Sequence, residues 1–245
     1  MDSAQAHQSA QSTDTVPAEA PVQNGTPALT IVAFGSSSTE GVGATTPAAN
    51  YPNRLQGELR AALAPLKVTV VNRGIGGEDV DDMMRRLPAI IAERPNMIIW
   101  QTGSNDPIRQ VPLVRFVAET RAGVRAMRQA GIAVILMEPQ DCEVLRATPG
   151  ALRYRDAVRQ IGAEFDIPVI RRWDLMQTWL RKGAVTQASL MWTDGLHMTD
   201  GGYALLAHAV ADQVLAMRGA TLKSETASVE TTPHTVAAKP TTTKP

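Results

Sequence analysis

Short, uninterrupted apolar runs alternate with longer amphipathic segments, and this alternation restricts the possible folds more than any other feature. The runs span residues 28–34, 68–71, 97–100, 132–137 and 167–170. Apolar runs of this kind are typical of strands buried on both faces, as in a parallel sheet. The segments 50–63, 113–130, 151–165 and 202–217 carry apolar residues at helical spacing. The pattern predicts right-handed βαβ units, and hence an α/β fold with a three-layer α/β/α sandwich around a five-stranded parallel sheet.

The two ends of the chain differ in composition from this middle region. Residues 1–27 are rich in Ala, Gln, Ser, Thr and Pro, and residues 219–245 are low in complexity. Because neither end has enough apolar residues to form a core, we predict a disordered leader and a disordered tail around one domain at 28–218. The leader lacks the basic and apolar parts of a signal peptide. Its polar, Pro-punctuated composition favours an exported protein, periplasmic or secreted, over a cytoplasmic one.

The charge balance, the lack of long apolar stretches and the small numbers of Cys and His exclude several classes of function. Lys plus Arg and Asp plus Glu balance at 24 each, so no basic field exists to bind nucleic acid. No apolar stretch approaches the roughly 20 residues that span a bilayer. Cys142 is the single cysteine, and its acidic neighbours predict an inert thiol. The four histidines (His7, His197, His208 and His234) are too few and too dispersed to favour a metal site, so no metal or other cofactor is expected.

Four polar motifs follow predicted strands or precede the last predicted helix. They are residues 34–41 (FGSSSTEG), 72–79 (NRGIGGED), 103–106 (GSND) and 192–197 (WTDGLH). In an open parallel sheet the ligand lies beyond the carboxyl ends of the strands. The motifs are therefore predicted to meet at one edge of the sheet.

Each motif offers a functional group and also has a purely structural interpretation. A serine on a tight turn can act as a nucleophile, but serine is also common at helix starts. Glycine N–H groups and an Asn amide can bind an oxyanion, but both residue types are common in turns. A His with an Asp three residues before it can serve as an oriented base. A dinucleotide loop is disfavoured because Asp79 occupies the position of the third glycine, and no Walker A sequence occurs.

Taken in order, the four motifs resemble those of the SGNH (GDSL-type) hydrolase superfamily over about residues 28–218. The resemblance implies a flavodoxin-like sandwich with Ser37 as nucleophile and Asp194 and His197 as its supporting pair. It also implies an oxyanion hole formed by the N–H groups of Ser37 and Gly77 and by the side chain of Asn105. One position departs from the family, because Ser36 stands where an Asp usually precedes the nucleophile. Thr39 and Gly41 fall at family positions and select Ser37 among the three serines.

The sequence thus predicts a serine esterase that cleaves carboxylic esters through an acyl-enzyme. A compact site favours short acyl groups, such as acetyl on a carbohydrate or a small alcohol. A lysophospholipase, a thioesterase, an acyltransferase and a catalytically inactive carbohydrate-binding module remain alternatives on the same fold. An α/β-hydrolase fold is disfavoured because the serine motif lacks the second glycine of G-x-S-x-G. The oligomeric state is left open.

Two other groups of residues each allow two interpretations, and a third group is acidic. The tryptophans Trp173, Trp179 and Trp192 are expected to pack in the core or at its rim, or else to form a substrate platform. Arg171 and Arg172 are expected to form a solvated strand end, or else an anion site. An acidic rim is expected after the second strand, with arginines nearby in sequence; it consists of Glu78, Asp79, Asp81 and Asp82.

Overall fold

The computed structural model describes residues 28–183 and 185–229. Strands are β1 (Ala28–Gly35), β2 (Lys67–Gly74), β3 (Met97–Gln101), β4 (Ala133–Met137) and β5 (Val169–Ile170). Helices are α1 (Ser37–Glu40), α2 (Tyr51–Ala62), α3 (Val80–Ala92), α4 (Asn105–Ile108), α5 (Leu113–Gln129), α6 (Glu143–Ala147), α7 (Ala151–Glu164), α8 (Arg172–Arg181), α9 (Gln187–Leu190) and α10 (Asp200–Val229). A 3₁₀ turn at Pro47–Ala49 precedes α2.

All pairs of neighbouring strands are parallel, and the strand order is β2-β1-β3-β4-β5. The predicted α/β/α sandwich with a five-stranded parallel sheet is therefore confirmed. From β1 the chain adds β2 on one side and then β3 on the other, so the connections reverse direction at β1. Parallel sheets of this order bind ligands at such a switch point, beyond the carboxyl ends of the strands.

The core lies in two layers, one on each face of the sheet. Successive side chains of a strand point to opposite faces. Ile31 and Ala33 accordingly contribute to the layer under α2, α8 and α10, whereas Val32 and Phe34 contribute to the layer under α3, α5 and α7. All four side chains are fully buried, which explains why the strands read as continuous apolar runs.

Two of the longer helices, α3 and α8, have no counterpart in the sequence prediction, nor do the short helices α1, α4, α6 and α9. In α3 the apolar face of Met83, Leu87 and Ile90 is interrupted by charged residues and by Pro88, which is a helix breaker in most contexts. The helix forms because a capping box between Asp79 and Asp82 satisfies its first N–H groups and its apolar face is buried against the sheet. Tertiary packing thus outweighs a weak local signal.

The predicted ends can be compared with the structure only in part. The last helix continues to Val229, past residue 218 where the composition changes. The predicted leader, residues 1–27, and the last part of the predicted tail, residues 230–245, lie outside the described residues. In the part of the chain that the structure covers, no helix is long and apolar enough to cross a bilayer.

Candidate active site

The loops that follow β1, β2 and β3 meet at one edge of the sheet, as predicted. Ser37 begins α1 directly after β1, and Asn105 begins α4 directly after β3. The loop after β2 lies against the serine turn, since a Cβ at Gly74 would stand only 2.0 Å from the backbone nitrogen of Glu40. A side chain at this position would therefore push the two loops apart, which is why glycine is needed here.

Ser37, His197 and Asp194 form a continuous hydrogen-bonded chain. The Ser37 Oγ lies 2.9 Å from Nε2 of His197, and Nδ1 of the same ring lies 2.7 Å from Oδ2 of Asp194. An ionised carboxylate can only accept a hydrogen bond, so Nδ1 carries the ring proton and Nε2 is left to accept from the serine hydroxyl. This is the arrangement that a general base needs in order to activate a serine.

The loop that carries Asp194 holds its carboxylate in place. Oδ1 accepts hydrogen bonds of 2.9 Å from the backbone N–H groups of Leu196 and His197. Partial burial acts to raise the pKa of Asp194, but these two bonds and the imidazole contact outweigh it and hold the pKa below its ordinary value. Asp194 therefore stays ionised at neutral pH, as a partner for an imidazolium must.

Gly77 and Asn105 lie on the two loops that flank the serine turn. Gly77 adopts a left-handed conformation (φ 77°), and a Cβ there would meet open space. Glycine is therefore favoured here by the backbone conformation and not by a lack of room for a side chain. Its N–H has no hydrogen-bond partner among residues 28–183 and 185–229. Asn105 Nδ2 donates one hydrogen to the Glu78 carbonyl at 2.8 Å, which fixes the amide and leaves its second hydrogen available.

Comparison with known proteins places the chain in a family. A model of the Non-GDSL lipase-like family matches residues 5–219. The chain belongs to the Non-GDSL lipase-like family. This family lies within the SGNH-type hydrolase superfamily that the four motifs indicate. No curated protein matches the chain.

Solved structures similar to this lipase-like family member share its fold. A lipase/acylhydrolase from Enterococcus faecalis is 22% identical with a TM-score of 0.64, and the match covers 76% of this chain and 95% of that one. An acetylxylan esterase from Geobacillus stearothermophilus is 24% identical with a TM-score of 0.65, covering 76% of this chain and 94% of that one.

Ser36, at the position where the superfamily usually has Asp, has a defined partner in this lipase-like chain. Gln101 at the end of β3 is fully buried, and its Oε1 accepts from the Ser36 N–H at 2.9 Å and from the Ser36 hydroxyl at 3.1 Å. The Thr39 hydroxyl donates to the same oxygen at 3.2 Å. The serine turn is therefore fixed by a neutral amide. Gln101 is not among the residues predicted from the sequence, although a polar residue at the end of an otherwise apolar run is a signal for it.

The acidic rim is not an open acidic surface, because each of its carboxylates has an arginine partner. Arg109 bonds Asp79 at 3.1 Å and also Asp82, and its Nη1 donates to the Gly77 carbonyl at 3.0 Å. Arg86 pairs with Glu78, Arg115 with Asp81, and Arg85 with Asp82. The expectation of an acidic rim is corrected: Arg86 and Arg109 tie the Gly77 loop to α3 and to the end of α4, whereas the Arg115–Asp81 pair joins α5 to α3.

The interpretation of Arg171 and Arg172 as a solvated strand end is wrong for Arg172. Arg171 is exposed, whereas Arg172 begins α8 and is completely buried. Burial lowers the pKa of Arg172 to about 10. Its Nη2 donates to Oε1 of Gln140. Cys142 is also buried, and burial raises the pKa of its thiol, in keeping with the predicted inert role.

The three tryptophans differ in their surroundings. Trp173 is buried, which agrees with core packing, and Trp179 is partly buried against the same layer. Trp192 is 45% exposed, two residues before Asp194, and its indole N–H donates to the Gly43 carbonyl. It borders a cavity of about 500 Å³ that Glu143, Gln187 and Thr193 also line.

Proposed function

We propose that the chain is a serine esterase that hydrolyses carboxylic esters through an acyl-enzyme. The observation that carries the proposal is the pair of hydrogen bonds from Ser37 to His197 and from His197 to Asp194, at 2.9 and 2.7 Å. A module that only binds its ligand has no need of a serine, an imidazole and an ionised carboxylate in one line. Membership of a lipase-like family supports the same conclusion.

In the proposed reaction, Ser37 Oγ attacks the acyl carbonyl while His197 Nε2 takes the hydroxyl proton. Asp194 stabilises the imidazolium that forms. The developing oxyanion accepts hydrogen bonds from the N–H groups of Ser37 and Gly77 and from the free amide hydrogen of Asn105. The imidazolium then gives its proton to the departing alcohol. Water, deprotonated by His197, attacks the acyl-enzyme and releases the acid, which restores the serine.

We propose short acyl groups, above all acetyl on a carbohydrate, as the substrate class. The fold is shared with an acetylxylan esterase. Trp192 supports a sugar as the alcohol, because its indole is fixed by one hydrogen bond, half exposed and accompanied by polar groups at the adjacent cavity. An amphipathic aromatic ring beside polar side chains suits the apolar faces and hydroxyl groups of a sugar.

A fluorophosphonate probe tests the nucleophile. We expect one covalent adduct on Ser37 in the intact chain, located by peptide mass spectrometry, and none in Ser37→Ala. Ser38→Ala is the matched control because it removes the neighbouring hydroxyl and leaves Ser37 in place. No adduct on a folded chain would contradict the esterase and favour an inactive binding module.

A panel of esters tests the substrate class. We expect p-nitrophenyl acetate to be turned over faster than the octanoate, and acetylated xylo-oligosaccharides to release acetate. Trp192→Ala should raise KM for the acetylated oligosaccharide and leave KM for p-nitrophenyl acetate nearly unchanged, because only the former has a sugar to contact the ring. Equal effects on both substrates would contradict a sugar platform.

A further inference from the structure

Four buried polar side chains form a continuous hydrogen-bonded path beneath the candidate active site; we call Ser36, Gln101, Ser104 and Gln140 the inner network. Gln101 Nε2 lies 3.2 Å from Ser104 Oγ, and Ser104 Oγ lies 3.0 Å from Gln140 Oε1. Gln140 Nε2 lies 3.0 Å from the Leu196 carbonyl oxygen. All four residues are at most 4% exposed. The path therefore begins beside Ser37 and ends beside His197.

The direction of every bond in the inner network is fixed by chemistry. A guanidinium can only donate and a carbonyl can only accept, so Gln140 must turn Oε1 to Arg172 and Nε2 to Leu196. Likewise, the Ser36 N–H can only donate, so Gln101 turns Oε1 to it and Nε2 to Ser104. Ser104 consequently accepts from Gln101 and donates to Gln140. If either amide were rotated by 180°, its NH₂ group would face another donor and its oxygen would face another acceptor.

The Leu196 carbonyl links the inner network to the loop that carries Asp194 and His197. Leu196 lies between Asp194 and His197, and its N–H is bonded to Asp194 Oδ1. Gln140 thus binds the carbonyl of the same residue. A shift of this peptide would move the imidazole relative to Ser37, and a displacement of about 1 Å at reacting groups costs on the order of 10² in rate.

We propose that Gln140 is a positioning residue that sets the distance between His197 and Ser37 by holding the Leu196 carbonyl. The proposal rests on the proposed esterase function for its kinetic part only. Arg172 acts one step further out, by fixing which way the Gln140 amide faces. Through Ser104 and Gln101, the same path connects the His197 loop with the turn that carries Ser37, so the two halves of the catalytic pair share one buried support.

Gln140→Glu separates the positioning role from a general role in folding. The carboxylate keeps Oε1, which accepts from both Ser104 and Arg172, and it adds a charge opposite to that of the guanidinium. It loses only the donor to Leu196, against whose carbonyl it now sets an oxygen. Gln140→Met removes all three contacts in a side chain of similar length. Gln177→Glu is the matched control, since Gln177 also accepts from an arginine, Arg181, but lies on α8 away from the site.

The experiment measures kcat, KM and fluorophosphonate labelling for these variants, with amide hydrogen exchange across residues 192–199. We expect Gln140→Glu to stay folded, because its new ion pair with Arg172 offsets the lost bond to Leu196. It should lose about 10² in kcat and in labelling rate, with KM changed less than about threefold, and should exchange faster at Leu196 and His197. Gln177→Glu should match wild type. Gln140→Met should show the same kinetic loss with lower stability.

Two outcomes overturn the proposal. Near-normal kcat in folded Gln140→Glu would show that the Leu196 contact does not position His197. A loss confined to KM would assign Gln140 to substrate binding. If wild type hydrolyses no ester and takes up no probe, the proposed esterase function is contradicted separately. Faster hydrogen exchange at Leu196 and His197 in Gln140→Glu would then still support the positioning role, and unchanged exchange would contradict it.

Discussion

The two supports of the candidate active site are made in opposite ways. The inner network beneath Ser37 and His197 is buried and uncharged, and each of its polar atoms has a partner of the correct kind. The acidic rim beside Gly77 is held by ion pairs whose arginines reach solvent; the side chains of Arg109 and Arg115 are 48% and 59% exposed. One support is a set of neutral hydrogen bonds in a dry interior, and the other is a set of charges in water.

The two supports should therefore respond differently to substitution and to salt. A buried polar group that loses its partner costs about 1–3 kcal/mol, and a buried charge without a partner costs more. An exposed ion pair contributes about 0–1 kcal/mol and weakens as salt is added. Substitutions in the inner network should therefore have large effects that salt does not change, and substitutions in the acidic rim should have small effects that salt reduces.

Ser36→Asp is the strongest test, because it installs the residue that the superfamily usually carries. Here the new carboxylate would face Gln101 Oε1, which already accepts from the Ser36 N–H and cannot turn away. We expect the free energy of unfolding to fall by about 3–5 kcal/mol in urea titrations, with a matching loss of turnover. Ser36→Ala, which only removes one hydroxyl, should lose about 1 kcal/mol. Wild-type stability in Ser36→Asp would show that the inner network tolerates a charge that has no partner of opposite sign.

Asn105→Ala acts where the two supports meet, since Asn105 follows Ser104 in the chain and bonds the Glu78 carbonyl of the rim. We expect kcat to fall by about 10²–10³ through loss of an oxyanion donor. KM and the far-ultraviolet circular dichroism spectrum should stay close to those of wild type. A variant that keeps its turnover would remove Asn105 from the oxyanion hole.

The sequence predicts the parts of this arrangement that depend on local patterns. Continuous apolar runs predict the five strands, and parallel strands bring their carboxyl-end loops together, so Ser37, Gly77 and Asn105 are expected at one edge. The structure brings Ser37, Asp194 and His197 within hydrogen-bond distance; their catalytic roles stay predictions. Nothing in the sequence pairs Gln101 with Ser36 or Gln140 with Leu196, because such contacts arise only when distant segments pack. The burial of Arg172 beside Gln140 is not predicted from the sequence for the same reason.

Asp106→Asn tests a single charge buried between the two supports. Burial raises the pKa of Asp106 to about 6, although Oδ1 accepts from the Val80 N–H at 2.9 Å. Between the ordinary pKa of 3.8 and about 6, the folded chain keeps a proton on Asp106 that the unfolded chain loses. The stability that protonated Asp106 contributes is therefore fully present in acid and is lost as pH rises through about 6.

The variant removes this titration and should be more stable than wild type at pH 7 by on the order of 3 kcal/mol. The difference should shrink toward zero near pH 4, where Asp106 is protonated. Urea titrations of both chains between pH 4 and pH 8 measure it. Asp194 has the opposite pH dependence but is common to both chains, so it cancels in the difference. A constant offset across this range would contradict a buried, titrating Asp106.

Arg115→Ala should have the smallest effect. Arg115 bonds Asp81 at 2.9 Å in the acidic rim, but its side chain is mostly in water and the pair holds no catalytic loop. We expect Tm to stay within about 1 °C of wild type in low salt and closer still in 0.5 M NaCl, because an exposed pair contributes little and salt screens it. Arg109→Ala, measured beside it, should be more sensitive to salt, since Arg109 pairs with two carboxylates, Asp79 and Asp82. If Arg115→Ala lowered Tm as strongly as Ser36→Ala does, the rim would support the site as firmly as the inner network, and the contrast between neutral buried bonds and exposed charges would not hold for this protein.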